Sequence, residues 1–167
     1  MSAPTHQPND ASTQSGPFAP NPGETHQEAS SAAARLVPDA ERLKFTPRLF
    51  GARMFMHGET AVFNWMRRLC KAYTGGFWEF YTVGDEGAGF MVPRMNGPLS
   101  ISVETNGYEG QMSAEAAGIV VTLFALNHLM YHTPDAGAAA VLGDRYEELR
   151  AFALEHQEQA AIFGAID

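Results

Sequence analysis

His128 and His132 stand four residues apart, the spacing that sets two imidazoles on one helical face within reach of a single metal ion. The pair could serve a metal-dependent hydrolase, although it lacks an obvious acidic third ligand, Asp135 being merely near in sequence. As polar positions at the end of a buried helix, where imidazoles suit the dipole, the same residues need no metal. Cys70 offers a thiol nucleophile with His57 or His128 as its base, yet it falls on the apolar side of a helical pattern, the setting of a small buried hydrophobe. The neighbouring acids Asp85 with Glu86 and Glu147 with Glu148 could form acid/base dyads, but such pairs on turns and helices are ordinarily solvated charge. The sequence contains no G-x-x-x-x-G-K-[ST] phosphate loop, no H-E-x-x-H pair and no G-x-S-x-G elbow. The residues alone therefore offer no convincing catalytic residue, resident metal or cofactor.

The sharpest pattern lies near the C-terminus. On a helix running from about Asp144, the side chains of Asp144, Glu147, Glu148, Glu155 and Glu158 share an arc of about 100°. Tyr146, Leu149, Phe152, Ala153 and His156 fill the opposite arc, so one face is core and the other carboxylate. If that helix continues to Glu158, five acids span about 21 Å in four gaps averaging roughly 5 Å, to be compared with the ~3.4 Å between phosphates on one DNA strand. The pattern is either a partner-binding ladder or a solvated helix face. Arg67, Arg68 and Lys71 form a basic cluster that is half explained as helix-dipole complement, which makes a DNA-binding module the weaker alternative. Trp65, Phe77, Trp78, Phe80 and Tyr81 could stack bases, but their place on a core-facing helix and a dense strand favours packing.

These residues need a scaffold, and 167 residues suffice for one domain with a core. From Met1 to about residue 40 the chain is rich in Pro, Ser and Ala and is expected to be a disordered extension, with the folded domain at 41–167. From Glu59, Val62, Phe63, Met66, Leu69, Cys70 and Tyr73 repeat at helical spacing up to Gly75 and Gly76. Phe77 to Val83 and Phe90 to Val92 flank a Gly-rich turn as a hairpin. Leu99, Ile101 and Val103 alternate with polar residues before Asn106 and Gly107, a strong hairpin turn signal. Ser113 caps a helix, about Ala114 to His132, that is apolar almost all round and so central. Residues 135–143 read as a Gly/Ala-rich connector to the last helix. The expected class is α+β: a small antiparallel β-meander of about four strands packed with a central buried helix and two to three further helices.

Nineteen acids against eleven bases leave a net charge of −8, which disfavours an ordinary basic DNA-binding groove. The charge is uneven. Residues 36–76 hold seven bases and three acids, for +4, whereas residues 77–167 hold three bases and thirteen acids, for −10. A single cysteine excludes an intramolecular disulfide framework. The longest strongly apolar run, Ala116 to Leu126, is short of a bilayer span, and no signal peptide opens the chain, so a cytoplasmic protein with no membrane contact is expected.

Several stretches resemble antirestriction proteins of the ArdB/KlcA family. They include Pro47-Arg48-Leu49-Phe50-Gly51, Phe63-Asn64-Trp65-Met66-Arg67-Arg68-Leu69-Cys70 and Tyr73-Thr74-Gly75-Gly76-Phe77-Trp78-Glu79-Phe80-Tyr81. Gly89 to Pro93, Glu109 to Val120 and the ending Phe163-Gly164-Ala165-Ile166-Asp167 extend the resemblance across about residues 43–167. It implies a small cytosolic protein carried on plasmids and other mobile elements. Such a protein is not an enzyme: it inhibits the host type I restriction-modification complex by binding it, with direct DNA binding not expected, and the failed search for a catalytic site agrees with this. The departures are the N-terminal extension and the Ala-rich stretch at 136–142.

Overall fold

A computed structural model of the chain describes Met1, residues 33–85 and residues 87–167. Of the expected disordered extension, residues 2–32 lie outside the described residues. The fold already takes in Arg35–Leu36, which pair with Thr82 and Tyr81 as strand β1, and the N–H of Val37 donates to the Phe80 carbonyl at 2.8 Å.

The class is α+β, with two small antiparallel sheets and five α-helices among the described residues. After β1 come a 3-10 turn (Asp39–Glu41) and α1 (Arg42–Phe50), then α2 (Phe55–Leu69). The strands β2 (Trp78–Val83), β3 (Ala88–Pro93), β4 (Leu99–Val103) and β5 (Tyr108–Met112) follow. The chain finishes with α3 (Ala114–His132), α4 (Ala136–Leu154) and α5 (Gln159–Ile166). The four expected strands form and each pairs with its sequence neighbour, but they divide into two sheets, β1-β2-β3 and β4-β5. The free edge of β3 is taken by α3, so β4 cannot extend that sheet.

The α3 helix is the centre of the core, as a helix apolar on every side must be. It packs on α2, α4, α5 and β3. It is long and apolar enough to cross a membrane by length and composition, yet most of that stretch is buried inside the protein. Two residues let α3 sit against the β3 backbone. A Cβ on Gly118 would fall 2.4 Å from the Met91 carbonyl oxygen, so only glycine admits this approach. One turn on, the buried Thr122 hydroxyl accepts from the Met91 N–H at 3.2 Å and donates to the Gly118 carbonyl at 2.8 Å, satisfying an edge donor that water cannot reach.

The β4-β5 hairpin turns at Asn106 and Gly107, the latter at φ 74°. Asn106 Oδ1 accepts from the Tyr108 N–H at 3.0 Å while its Nδ2 donates to the carbonyls of Gly164 and Ala165, tying the turn to α5. On the other side of the core, α1 buries Phe45, Leu49 and Phe50, and Phe45 stacks on Phe80 with centroids 4.7 Å apart.

Candidate functional site

The residues that could have done chemistry are held apart or already engaged. The His128 and His132 rings stack at 4.1 Å, and His132 Nδ1 lies 2.7 Å from the His128 carbonyl, so the imidazoles lie side by side instead of converging on one point. Asp135 is committed elsewhere. Its Oδ1 accepts from the N–H groups of Gly137 and Ala138 at 3.0 and 3.1 Å, and its Oδ2 takes the Arg53 guanidinium at 2.7 Å. The Ala138 amide first, and then Arg53, hold the Asp135 carboxyl below its ordinary 3.8. Among the described residues no three His, Cys, Asp or Glu side chains stand where they could share a metal ion. Cys70 is fully buried in the core. Asp85 pairs with Arg35 at 2.8 Å, and its neighbour Glu86 lies outside the described residues.

The same Asp135 cap corrects the expected connector. Residues from Ala136 form the first turns of α4, because alanines favour helix and the Asp135 carboxylate satisfies the first amides. The far end is corrected too: α4 stops at Leu154, and Glu158 does not continue its carboxylate face. Glu158 turns back to α3, where its Oε1 accepts the Ser113 N–H at 2.9 Å and its Oε2 the Ser113 hydroxyl. Ser113 Oγ in turn accepts from the Ala116 N–H at 3.1 Å as the expected cap. His156, whose side chain is 6% exposed, locks this turn. Its Nδ1 accepts from the Glu158 N–H at 3.0 Å, which leaves the ring hydrogen on Nε2, 3.7 Å from Glu115 Oε1.

The acids expected to line one face therefore split by role. Asp144, Glu147 and Glu155 are exposed and in no ion pair among the described residues. Glu148 is half-buried and 3.1 Å from Arg145. Glu155 occupies the C-cap of α4. Along the helix, Asp144 and Glu147 are about 4.5 Å apart and Glu155 lies about 12 Å further on, so the spacing departs from that of successive phosphates.

Beside the basic cluster of α2 that the sequence shows lies a groove that it does not. The α2 helix and the C-terminal turns of α3 border an open groove of about 610 Å³, floored by Met56, Trp65 and Leu129 and edged by His57, Arg68 and His128. Trp65 stacks on Phe124 at 4.7 Å and meets His128 edge-on at 6.3 Å, while the Arg68 guanidinium lies over its ring at 5.2 Å. The signal available was Trp65 falling just beside the apolar face of α2. Of the other aromatics, Trp78 and Phe80 are core, with Trp78 Nε1 donating to the Tyr73 hydroxyl at 2.9 Å. Tyr81 is half-buried and stacks on Phe90, and burial together with Glu79 pushes its hydroxyl above the ordinary 10.0. Phe77 departs from the expected packing and is 81% exposed.

Together these features define a small α+β protein with an acidic face on α4, a basic apolar groove on α2, and no convergent catalytic set among the described residues. The chain belongs to the antirestriction protein family, whose family model matches residues 71–167. It is 50% identical over 143 residues to an antirestriction protein KlcA of Escherichia coli, covering 84% of this chain and 97% of that one. It is 33% identical over 134 residues to a putative antirestriction protein, YubI, of Escherichia coli strain K12, covering 78% of this chain and 93% of that one. A solved structure matches with a TM-score of 0.75 at 50% identity, covering 81% of this chain and 95% of that chain. It is described as showing, for KlcA and ArdB, a novel fold and antirestriction activity against type I DNA restriction systems in vivo but not in vitro.

Proposed function

We propose that this protein inhibits type I restriction endonucleases in the cytoplasm and so protects incoming plasmid or mobile-element DNA. It acts by non-catalytic binding to the restriction-modification complex. The observation that carries this reading is the 50% identity to KlcA across nearly its whole length. The dispersal of the candidate catalytic groups described above accords with inhibition by contact. The exposed acids of α4, Asp144 and Glu147 with Glu148 and Glu155 beside them, are the contact surface in this reading. Their uneven spacing favours contact with a basic protein patch over imitation of a phosphate row.

Activity in vivo but not in vitro for the solved relatives makes a cell-based assay the right test. Unmodified phage is plated on a restricting host that expresses either the wild-type chain or a double Asp144→Lys/Glu147→Lys variant, whose fold is checked by circular dichroism. Wild type should restore plating, and the folded variant should lose at least tenfold of that protection. A wild-type chain that does not protect overturns the function, and a fully protective variant removes the α4 acids from the mechanism.

A further inference from the structure

The groove between α2 and α3 is not used by the α4 contact, and its composition is that of a docking site. Its volume of about 610 Å³ falls in the range of ligand-binding clefts, roughly 300–1,000 Å³, but it is open along its length. From Met56 to Arg68 it follows α2 for about 18 Å, more than three turns of a helix laid alongside. Trp and Arg, the residue types that dominate binding hot spots, meet at its centre as Trp65 and Arg68. Met56, 67% exposed, supplies an adaptable apolar contact at one end, and Tyr131, 77% exposed, stands one helical turn beyond His128 on α3.

The charge of the groove selects its occupant. No carboxylate lines it; Glu59 points to the opposite face of α2 on the helical wheel, and Arg68 has no ion-pair partner among the described residues. Arg67 and Lys71 stand at the same end of α2 but do not line the groove, so Arg68 is its one guanidinium. A nucleic-acid backbone would need a row of cations, whereas this groove offers one guanidinium above an apolar floor. A second copy, docking its own acidic α4, would make a head-to-tail contact that propagates into filaments unless it closes. We infer that the groove receives an amphipathic helix of a partner protein, its apolar face on Met56, Trp65 and Leu129 and its flanking carboxylates on Arg68 and His57. That the partner is a subunit of the restriction complex rests on the function proposed above; the chemistry of the groove does not.

The test is photo-crosslinking in restricting cells challenged with unmodified phage, with p-benzoylphenylalanine replacing Thr60, which is exposed and lines the groove. The same label at exposed Ser100 on β4 is the control. The expected product is a protein adduct that mass spectrometry maps to an acidic amphipathic helical segment, with its yield reduced at least fivefold by Arg68→Glu. An adduct to DNA or to a second copy overturns the inference. So does a yield no higher than at Ser100, or one that Arg68→Glu leaves unchanged. Phage plating on the wild-type chain is read in parallel: loss of protection with the adduct intact overturns the function alone, and protection without the adduct overturns the groove alone.

Discussion

Glu158 reads as a member of the surface carboxylate row in the sequence and as a helix cap in the structure, and Glu158→Ala separates the two. The substitution removes an acceptor for both the Ser113 N–H and the Ser113 hydroxyl, at the positive end of α3. Hydrogen bonds to charged groups contribute about 1.5–3 kcal/mol each when buried, and a carboxylate at a helix N-terminus adds ~0.3–1 kcal/mol. The site is only half-buried, and Ser113 keeps its own cap to Ala116, so the net loss should be about 2–3 kcal/mol. Near 2–4 °C per kcal/mol for a chain of this size, the melting temperature should fall by roughly 5–10 °C. Glu158→Gln keeps one acceptor oxygen and should cost about 1 kcal/mol. A double-mutant cycle with Ser113→Ala, read by urea denaturation, should return a coupling of about 1–2 kcal/mol. Protection of phage DNA by the folded Gln variant should match wild type, because this carboxylate faces α3 and not a partner. A cost below about 0.5 kcal/mol with no coupling would refute the cap. A folded Gln variant that fails to protect would return Glu158 to the contact surface.

Two further substitutions probe the scaffold. Gly118→Ala would ordinarily gain helix propensity, but its Cβ meets the β3 backbone at 2.4 Å, so α3 and β3 must separate; a net loss of about 1–3 kcal/mol is expected, and an unchanged or raised melting temperature would show the contact to be loose. Asp135 has a carboxyl held below its ordinary 3.8, so its contribution to stability is present above that value and is lost as pH falls through the lower folded one. Asp135→Asn keeps a capping oxygen without the titration, and its denaturation midpoint should therefore change less between pH 7 and pH 3 than that of wild type.

Local signals carried much of the fold. The α3 helix, with Ser113 before it, and the β4-β5 hairpin at Asn106 and Gly107 are each specified by a few adjacent residues. What escaped depends on partners distant in sequence. Strand β1 is two residues long and exists because Thr82 and Tyr81 offer an edge. In α1, Pro47 sits inside the helix and argues against one, yet Phe45 and Leu49 gain burial against the core. No breaker residue ends α4: the periodicity runs on through His156, and the turn is held by Ser113 capturing Glu158 and by the Glu158 amide on His156. The groove was invisible for a different reason, since a gap between two helices leaves no periodicity in either.

Charge is where these corrections bear on function. Of the thirteen acids in residues 77–167, seven have partners within the described fold: Glu79, Asp85, Asp135, Glu148 and Asp167 pair with arginines, Glu115 faces His156, and Glu158 accepts from Ser113 at the start of α3. Exposed without such a partner among the described residues are Glu104, Glu109, Asp144, Glu147 and Glu155. Glu155 differs from the others: a carboxylate at the C-terminal end of α4 opposes that helix's dipole by ~0.3–1 kcal/mol, and no ion pair among the described residues offsets it. In the contact proposed above, a cationic partner at that end would offset the cost and engage Asp144 and Glu147 along the same face, so Glu155→Lys should weaken phage protection in the plating assay while leaving the melting temperature unchanged or slightly raised; unchanged protection would remove Glu155 from the contact.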